Sequence, residues 1–219
     1  MCAQFSLKID LEFLIKTYGI STPANLTTID LRFLPYQKAP VIVHDSGPRL
    51  VGMNFSLVPS WANKSKVKFA THNARLETVL EKPTWKKPFE KHHCVVPISS
   101  FFESVHDGPL SGNMIEFFEQ SHHLLFAAGI FDVWQDKENP HVKIHSFAIL
   151  TTEPDAFIFK NGHDRSPLFL DFENAKTWLT LASDSQKMIT FLNEKNQKPS
   201  LSVKIDRPLK MSSLKRQKN

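Results

Sequence analysis

At 219 residues, with 41% hydrophobic and 22% charged residues, the chain is long enough to bury one sizeable core without disulfides or metal. Its two cysteines, Cys2 and Cys94, exclude a disulfide framework. No apolar run reaches the roughly 18 residues of a membrane span, and the charges in MCAQFSLKIDLEF interrupt any signal-peptide core, so an intracellular protein off the membrane is expected.

The segment DLEFLIKTY (10–18) reads as an amphipathic helix capped by Asp10 and ended near Gly19. β-rich runs follow at 28–34 and 41–44, with Pro35 and Pro40 between them, and 50–58 reads as a strand ending at Pro59. A short helix is expected over 73–81, with Asn73 as its cap. Strands are expected at 94–98, 100–104, 114–119, 124–130, 144–150 and 167–170, and helical patterns at 154–160, 172–181 and 184–194. This order predicts one α+β domain, 2–205, with a mostly antiparallel β-sheet or barrel core and peripheral helices. Residues 206–219 are expected to form a basic C-terminal tail. The net charge of +5 suits a nucleic-acid partner, although the last ten residues, KMSSLKRQKN, carry four basic groups and no acid.

The chemistry starts at Cys2. Removal of Met1 exposes an α-amine and a thiol on one residue. The amine, with an ordinary pKa of about 7.7–8.0, is partly neutral near pH 7 and condenses with aldehydes. The thiol then closes onto the imine carbon as a five-membered thiazolidine, favoured because both nucleophiles sit on one residue. Alone, Cys2 reads more readily as an incidental terminal residue. His92, His93 and Cys94 are potential metal ligands, but adjacent strand residues point to opposite faces and no second cluster completes a site, so neither metal nor other cofactor is expected.

Four downstream segments bear on Cys2: NFSLVPSW (54–61), THNARLET (71–78), CVVPISSFFES (94–104) and GHDRSPLFL (162–170). In this order, with Cys at position 2, they resemble the SOS response-associated peptidase (SRAP) family. The resemblance implies a sensor of abasic sites in single-stranded DNA that forms a covalent thiazolidine crosslink through Cys2. It makes Cys2, Asn73, Glu103 and His163 the catalytic set. Asn73 orients the Cys2 amine, unless it only caps a helix. Glu103, in the apolar ISSFFES, is a general acid–base, since apolar surroundings favour a protonated carboxyl; the plainer reading is an exposed edge-strand Glu. His163 moves a second proton, or is an ordinary turn residue. DNA contacts fall to Arg75, Phe55, Pro35, Trp61 and Arg165. Arg75 either holds a phosphate or pairs with Glu77 or Glu81. Phe55 offers a stacking face. Arg165 binds phosphate or, preferably, braces its loop through Asp164.

The chain departs from the family pattern at several places. Ala3 and Gln4 replace Gly and Arg, Phe55 and Ser56 replace Trp and Gly, Ser104 replaces Trp, and Arg32-Phe33 replace Tyr-Asn. The catalytic set is intact while the DNA-contact set has drifted. Other readings stay open: an N-terminal-nucleophile cysteine peptidase that processes itself, or a non-catalytic module for single-stranded DNA. A monomer is expected, cytoplasmic and DNA-associated, or nuclear in a eukaryote.

Overall fold

The computed structural model describes residues 3–105, 110–121, 123–182 and 184–208. The chain opens with β1 (Gln4–Asp10), α1 (Leu11–Tyr18), β2 (Thr28–Phe33), β3 (Lys38–His44), β4 (Pro48–Phe55) and a short β5 (Asn73–Arg75). After one 3-10 turn at Leu76–Thr78 come α2 (Pro83–Lys91), β6 (His93–Ile98), β7 (Ser100–Ser104), β8 (Met114–Glu119), β9 (Leu125–Gln135) and β10 (Lys143–Thr152). The chain ends on α3 (Ala156–Lys160), β11 (Ser166–Pro167), β12 (Phe169–Leu170), α4 (Phe172–Thr180), α5 (Ser185–Lys195) and β13 (Leu201–Arg207).

The protein is a single α+β domain with a closed β-barrel core and an antiparallel sheet. The barrel runs β10-β4-β3-β6-β9 and closes where β9 pairs back onto β10. Among the described residues only the β10–β4 and β10–β5 ladders are parallel; they share one edge of β10, β4 meeting Ser146–Phe147 and β5 meeting Ile149–Thr151. The second sheet has the order β13-β8-β7-β1-β2. Barrel and sheet meet through phenylalanines. Phe5 stands edge-on to Phe55 at 5.4 Å, and Phe101 lies parallel to Phe117 at 4.9 Å and beside Phe169 at 5.8 Å. Aromatic pairs add about 0.5–1.5 kcal/mol beyond burial, so Phe5–Phe55 and Phe101–Phe169 join two sheets that share no hydrogen-bond ladder among the described residues.

Local chemistry explains the elements. Asp10 caps α1 by accepting from the Glu12 N–H at 2.8 Å, and Gly19 ends it in the left-handed conformation at φ 64°. Strand β6 is buried along its whole length, because barrel interior and outer helices cover it on both faces. On β9, Gly129 is required by close approach. An added Cβ would lie 2.9 Å from the Cys94 Sγ, and the Gly129 carbonyl accepts from the Trp178 indole N–H at 3.1 Å. No helix among the described residues is long and apolar enough to cross a membrane.

Three elements were not read from sequence: β1, α2 and β13. In α2, Pro83 stands at the start and Pro88 inside, which hides a helix that buries Trp85 and Phe89. Strand β13 carries the chain to Arg207, beyond the expected end at 205, and its Asp206 pairs with Arg32 at 2.9 Å. The short helix expected over 73–81 is instead a strand followed by one 3-10 turn. Parallel pairing with β10 overrides the local helical preference, and Asn73 is no cap.

Ser56 directly follows β4 with φ 111°, a region that favours glycine, and its buried Oγ has no hydrogen-bond partner among the described residues. Such strain costs about 1–3 kcal/mol, against about 0.5–1 kcal/mol for the added freedom of glycine in the unfolded chain. Ser56→Gly is therefore expected to stabilise by about 1 kcal/mol and to raise Tm by roughly 2–4 °C in a calorimetric scan.

Candidate functional site

Glu103 lies on β7, between β1 and β8. Its neighbour Phe102 is opposite Gln4, the first residue of β1, so the carboxylate sits beside the start of the chain's first strand. His163 lies in the loop between α3 and β11. Asp155 caps α3 through the Ile158 N–H at 2.8 Å, Gly162 turns the chain at φ 81°, and the His163 N–H donates to the Ile158 carbonyl. These elements bring His163 Nε2 to 2.8 Å from Glu103 Oε2, with side chains only 2% and 3% exposed. Sixty positions of sequence separate two groups that the fold seals together.

The imidazole has a second polar face. Its Nδ1 is 3.1 Å from the Arg165 carbonyl and 3.3 Å from the Arg165 N–H. The Arg165 carbonyl and N–H thus offer Nδ1 an acceptor and a donor within hydrogen-bond reach. Asp164 is farther, at 3.9 Å, and 80% exposed.

The Arg165 side chain turns away from this pair. Its guanidinium donates to the Glu77 carboxylate at 2.8 and 3.1 Å and to the Thr151 carbonyl at 2.7 Å. It is a brace, as the sequence favours, but through Glu77 and Thr151 rather than Asp164. With only 9% of its side chain exposed, it presents little charge to a phosphate.

Strand β5 forms the facing wall. Asn73 is buried opposite Ile149, while Arg75, opposite Thr151, is exposed. Glu77 is taken by Arg165, and Arg75 makes no ion pair among the described residues. His72, which the sequence reading passed over, belongs here too. Its ring stands edge-on to Phe55 at 5.9 Å, and burial holds its pKa below the ordinary value while the charge of Glu103 acts in the opposite direction. Its place inside THNARLET, next to Asn73, was the available signal. The sequence offers Glu77 only as a candidate partner of Arg75, and the fold gives it to Arg165 instead.

Phe55 requires a correction. It is 0% exposed, stacked on Phe147 at 5.2 Å inside the barrel, so no face is open to a base. Trp61 is 53% exposed and Pro35 is half-buried, both on the rim. Near Gln4, which stands where the family has Arg, Arg32 supplies a guanidinium. It lies 3.5 Å over Phe102, but its charge is taken by Asp206. His93 lies between the carbonyls of Trp178 and Phe89 at 2.9 and 2.7 Å, and burial pushes the Cys94 thiol pKa up. Cys2 lies outside the described residues.

A closed barrel joined to an antiparallel sheet, with a buried carboxylate–imidazole pair beside the first strand, defines the class of fold and site. The chain belongs to the SOS response associated peptidase (SRAP) family, which it matches over residues 1–207. It is 31% identical over 183 residues to the abasic site processing protein YoqW of Bacillus subtilis, covering 82% of this chain and 80% of that one. It is 30% identical to the abasic site processing protein HMCES of Rattus norvegicus, covering 62% of this chain and 46% of that longer one. Among solved structures, a protein of Bacteroides thetaiotaomicron shares the fold with a TM-score of 0.74 at 22% identity, covering 98% of this chain and 94% of that one.

The brace is testable. Glu77→Ala and Arg165→Ala are each expected to lower Tm. Their effects in a double-mutant cycle should be non-additive, with a coupling energy of about 1–2 kcal/mol. Additive effects would show that the two side chains do not hold the His163 loop together.

Proposed function

We propose that the protein captures abasic sites in single-stranded DNA as a covalent adduct of Cys2, in the course of a DNA-damage response. The observation that carries this reading is the buried Glu103–His163 pair at 2.8 Å beside the start of β1, in a chain of this family. The relatives' names supply the substrate class.

The reaction balances without a redox partner. The abasic sugar opens from its hemiacetal to an aldehyde, which needs one proton removed from the anomeric hydroxyl and one delivered to the ring oxygen. The Cys2 amine adds to the aldehyde carbon, and water leaves to give the imine. The Cys2 Sγ then bonds to the imine carbon, its proton passes to the nitrogen, and the thiazolidine is complete. Glu103 and His163 supply and receive these protons. Asn73 orients the amine. Arg75, exposed and without an ionic partner among the described residues, holds a phosphate.

Intact-mass analysis with and without an abasic oligonucleotide checks the core of this reading. Loss of Met1 and a heat-stable adduct of protein plus DNA minus one water are expected. Cys2→Ala should give no such adduct, and a surviving adduct would place the nucleophile elsewhere. Peptide cleavage without any adduct would favour the cysteine-peptidase reading. Glu103→Gln and His163→Ala should each slow capture by roughly 10²-fold while leaving the final yield. Equal rates across pH 5 to 8 would reduce both residues to scaffolding.

Arg75→Ala should weaken binding to single-stranded DNA and lower the slope of log K against log salt by about 0.7, the loss of one phosphate contact. An unchanged slope in fluorescence anisotropy titrations would remove Arg75 from the interface.

A further inference from the structure

With Phe55 sealed in the barrel, the stacking face of the interface must lie elsewhere. We infer that Tyr36, Trp61 and Phe69, together with Lys64, Lys66 and Lys68, form the track that carries the single-stranded DNA flank into the site. This rests on the reading of single-stranded DNA as the partner.

The loop from 58 to 70 leaves and returns at the site. Its ends are tied by the Leu57 N–H donating to the Thr71 carbonyl at 3.0 Å, one residue before His72. The loop has its own small core. Val58 and Ala62 pack on Trp134, with Val67 and Ile144 against them. The Trp134 indole N–H donates to the Ala62 carbonyl at 2.8 Å, and Asp132 Oδ2 accepts the Ser60 N–H at 2.7 Å. A loop pinned in this way holds its outward side chains in place, which reduces the ordering that binding must impose.

Those outward side chains suit a single strand. The stretch from 58 to 70 holds three lysines and no acid. Trp61 and Phe69 are 53% and 48% exposed. Tyr36, 56% exposed, joins them from the turn before β3, with Lys66 Nζ 4.8 Å from its ring centroid. A base stacked on Tyr36 thus brings its phosphate within reach of Lys66. Aromatic faces interleaved with cations accept any base sequence and follow a backbone, the pattern of single-strand binding.

Tyr36 adds an independent sign. In the turn closed by the Gln37 N–H on the Leu34 carbonyl, Pro35 precedes Tyr36, whose φ is 71°. That position ordinarily takes glycine. An exposed tyrosine there strains the fold and contributes no core packing, as expected of a residue kept for contact with a ligand.

The test uses the full chain and an undamaged oligothymidylate of about 20 residues, with an abasic oligonucleotide run in parallel on wild type. Replacing Lys64, Lys66 and Lys68 by Ser should lower the salt slope by about 2, three contacts at roughly 0.7 each. Tyr36→Gly and Trp61→Ala should each weaken binding by about tenfold or more. Tyr36→Gly should at the same time hold or raise Tm, opposite to a residue that matters only for folding. Wild-type slope and affinity in these variants, with adduct formation intact, would overturn the track and leave the capture reading standing. Wild-type protein that neither binds nor forms an adduct would overturn both.

Discussion

The site depends on keeping one carboxylate and one imidazole dry and 2.8 Å apart. Burying either charge alone costs several kcal/mol, and breaking such a pair leaves that cost uncompensated. The pair therefore constrains everything that positions it. Glu103 is fixed in register by β1 on one side and β8 on the other. His163 has no such ladder, since it lies in a loop. Its position follows from Arg165, which ties that loop to Glu77 beyond β5 and to Thr151 on β10. The Arg165 ion pair ties down the loop that brings the imidazole to the carboxylate.

Barrel and sheet divide the labour. The sheet carries Glu103 and the beginning of the chain; the barrel carries Asn73 on the β5–β10 ladder and anchors the loop of His163. A site at their junction requires the two bodies to be rigidly joined. The phenylalanines between them do this by ring contact, at centroid separations of 5.4 and 5.8 Å. The strained Tyr36 and Ser56 flank the same junction, and the Tyr36 N–H donates to the Phe55 carbonyl. Stored strain near a site signals that the surroundings over-determine the backbone there.

Features governed by neighbours in sequence were legible. Asp10 and Gly19 bracket α1 because caps are local, and strands β6 to β10 follow from apolar runs between turn residues. Features governed by distant pairing were not. Asn73-Ala74-Arg75 has local features of a helix start, and only its parallel partner on β10 makes it a strand. The Arg165–Glu77 brace spans 88 positions, which no motif spacing reveals. The resemblance pointed to Glu103 and His163, and the fold brings the two side chains into contact. It carried Phe55 over as a DNA contact because aromatic residues suit both a stacking face and a core. Burial decides between those, and burial is a property of the whole fold.

The separation between chemistry and contact has a physical consequence. The Glu103–His163 pair is sealed, whereas Arg75 and the lysines around 64–68 stand in solvent. Salt screens exposed charges over about 8–10 Å at physiological strength and reaches buried pairs far less. On the proposed reading, attraction to DNA and the bond-forming steps therefore respond to different variables: the first to ionic strength, the second to pH. Sequence drift follows the same boundary. Departures from the family pattern at Gln4, Phe55 and Ser104 alter contacts and packing around the site, while Asn73, Glu103 and His163 stay as the family has them. A rim residue can change with only a loss of affinity that a neighbouring cation or ring restores. A member of the buried pair is harder to replace, because its partner would lose a 2.8 Å contact in a site closed to water.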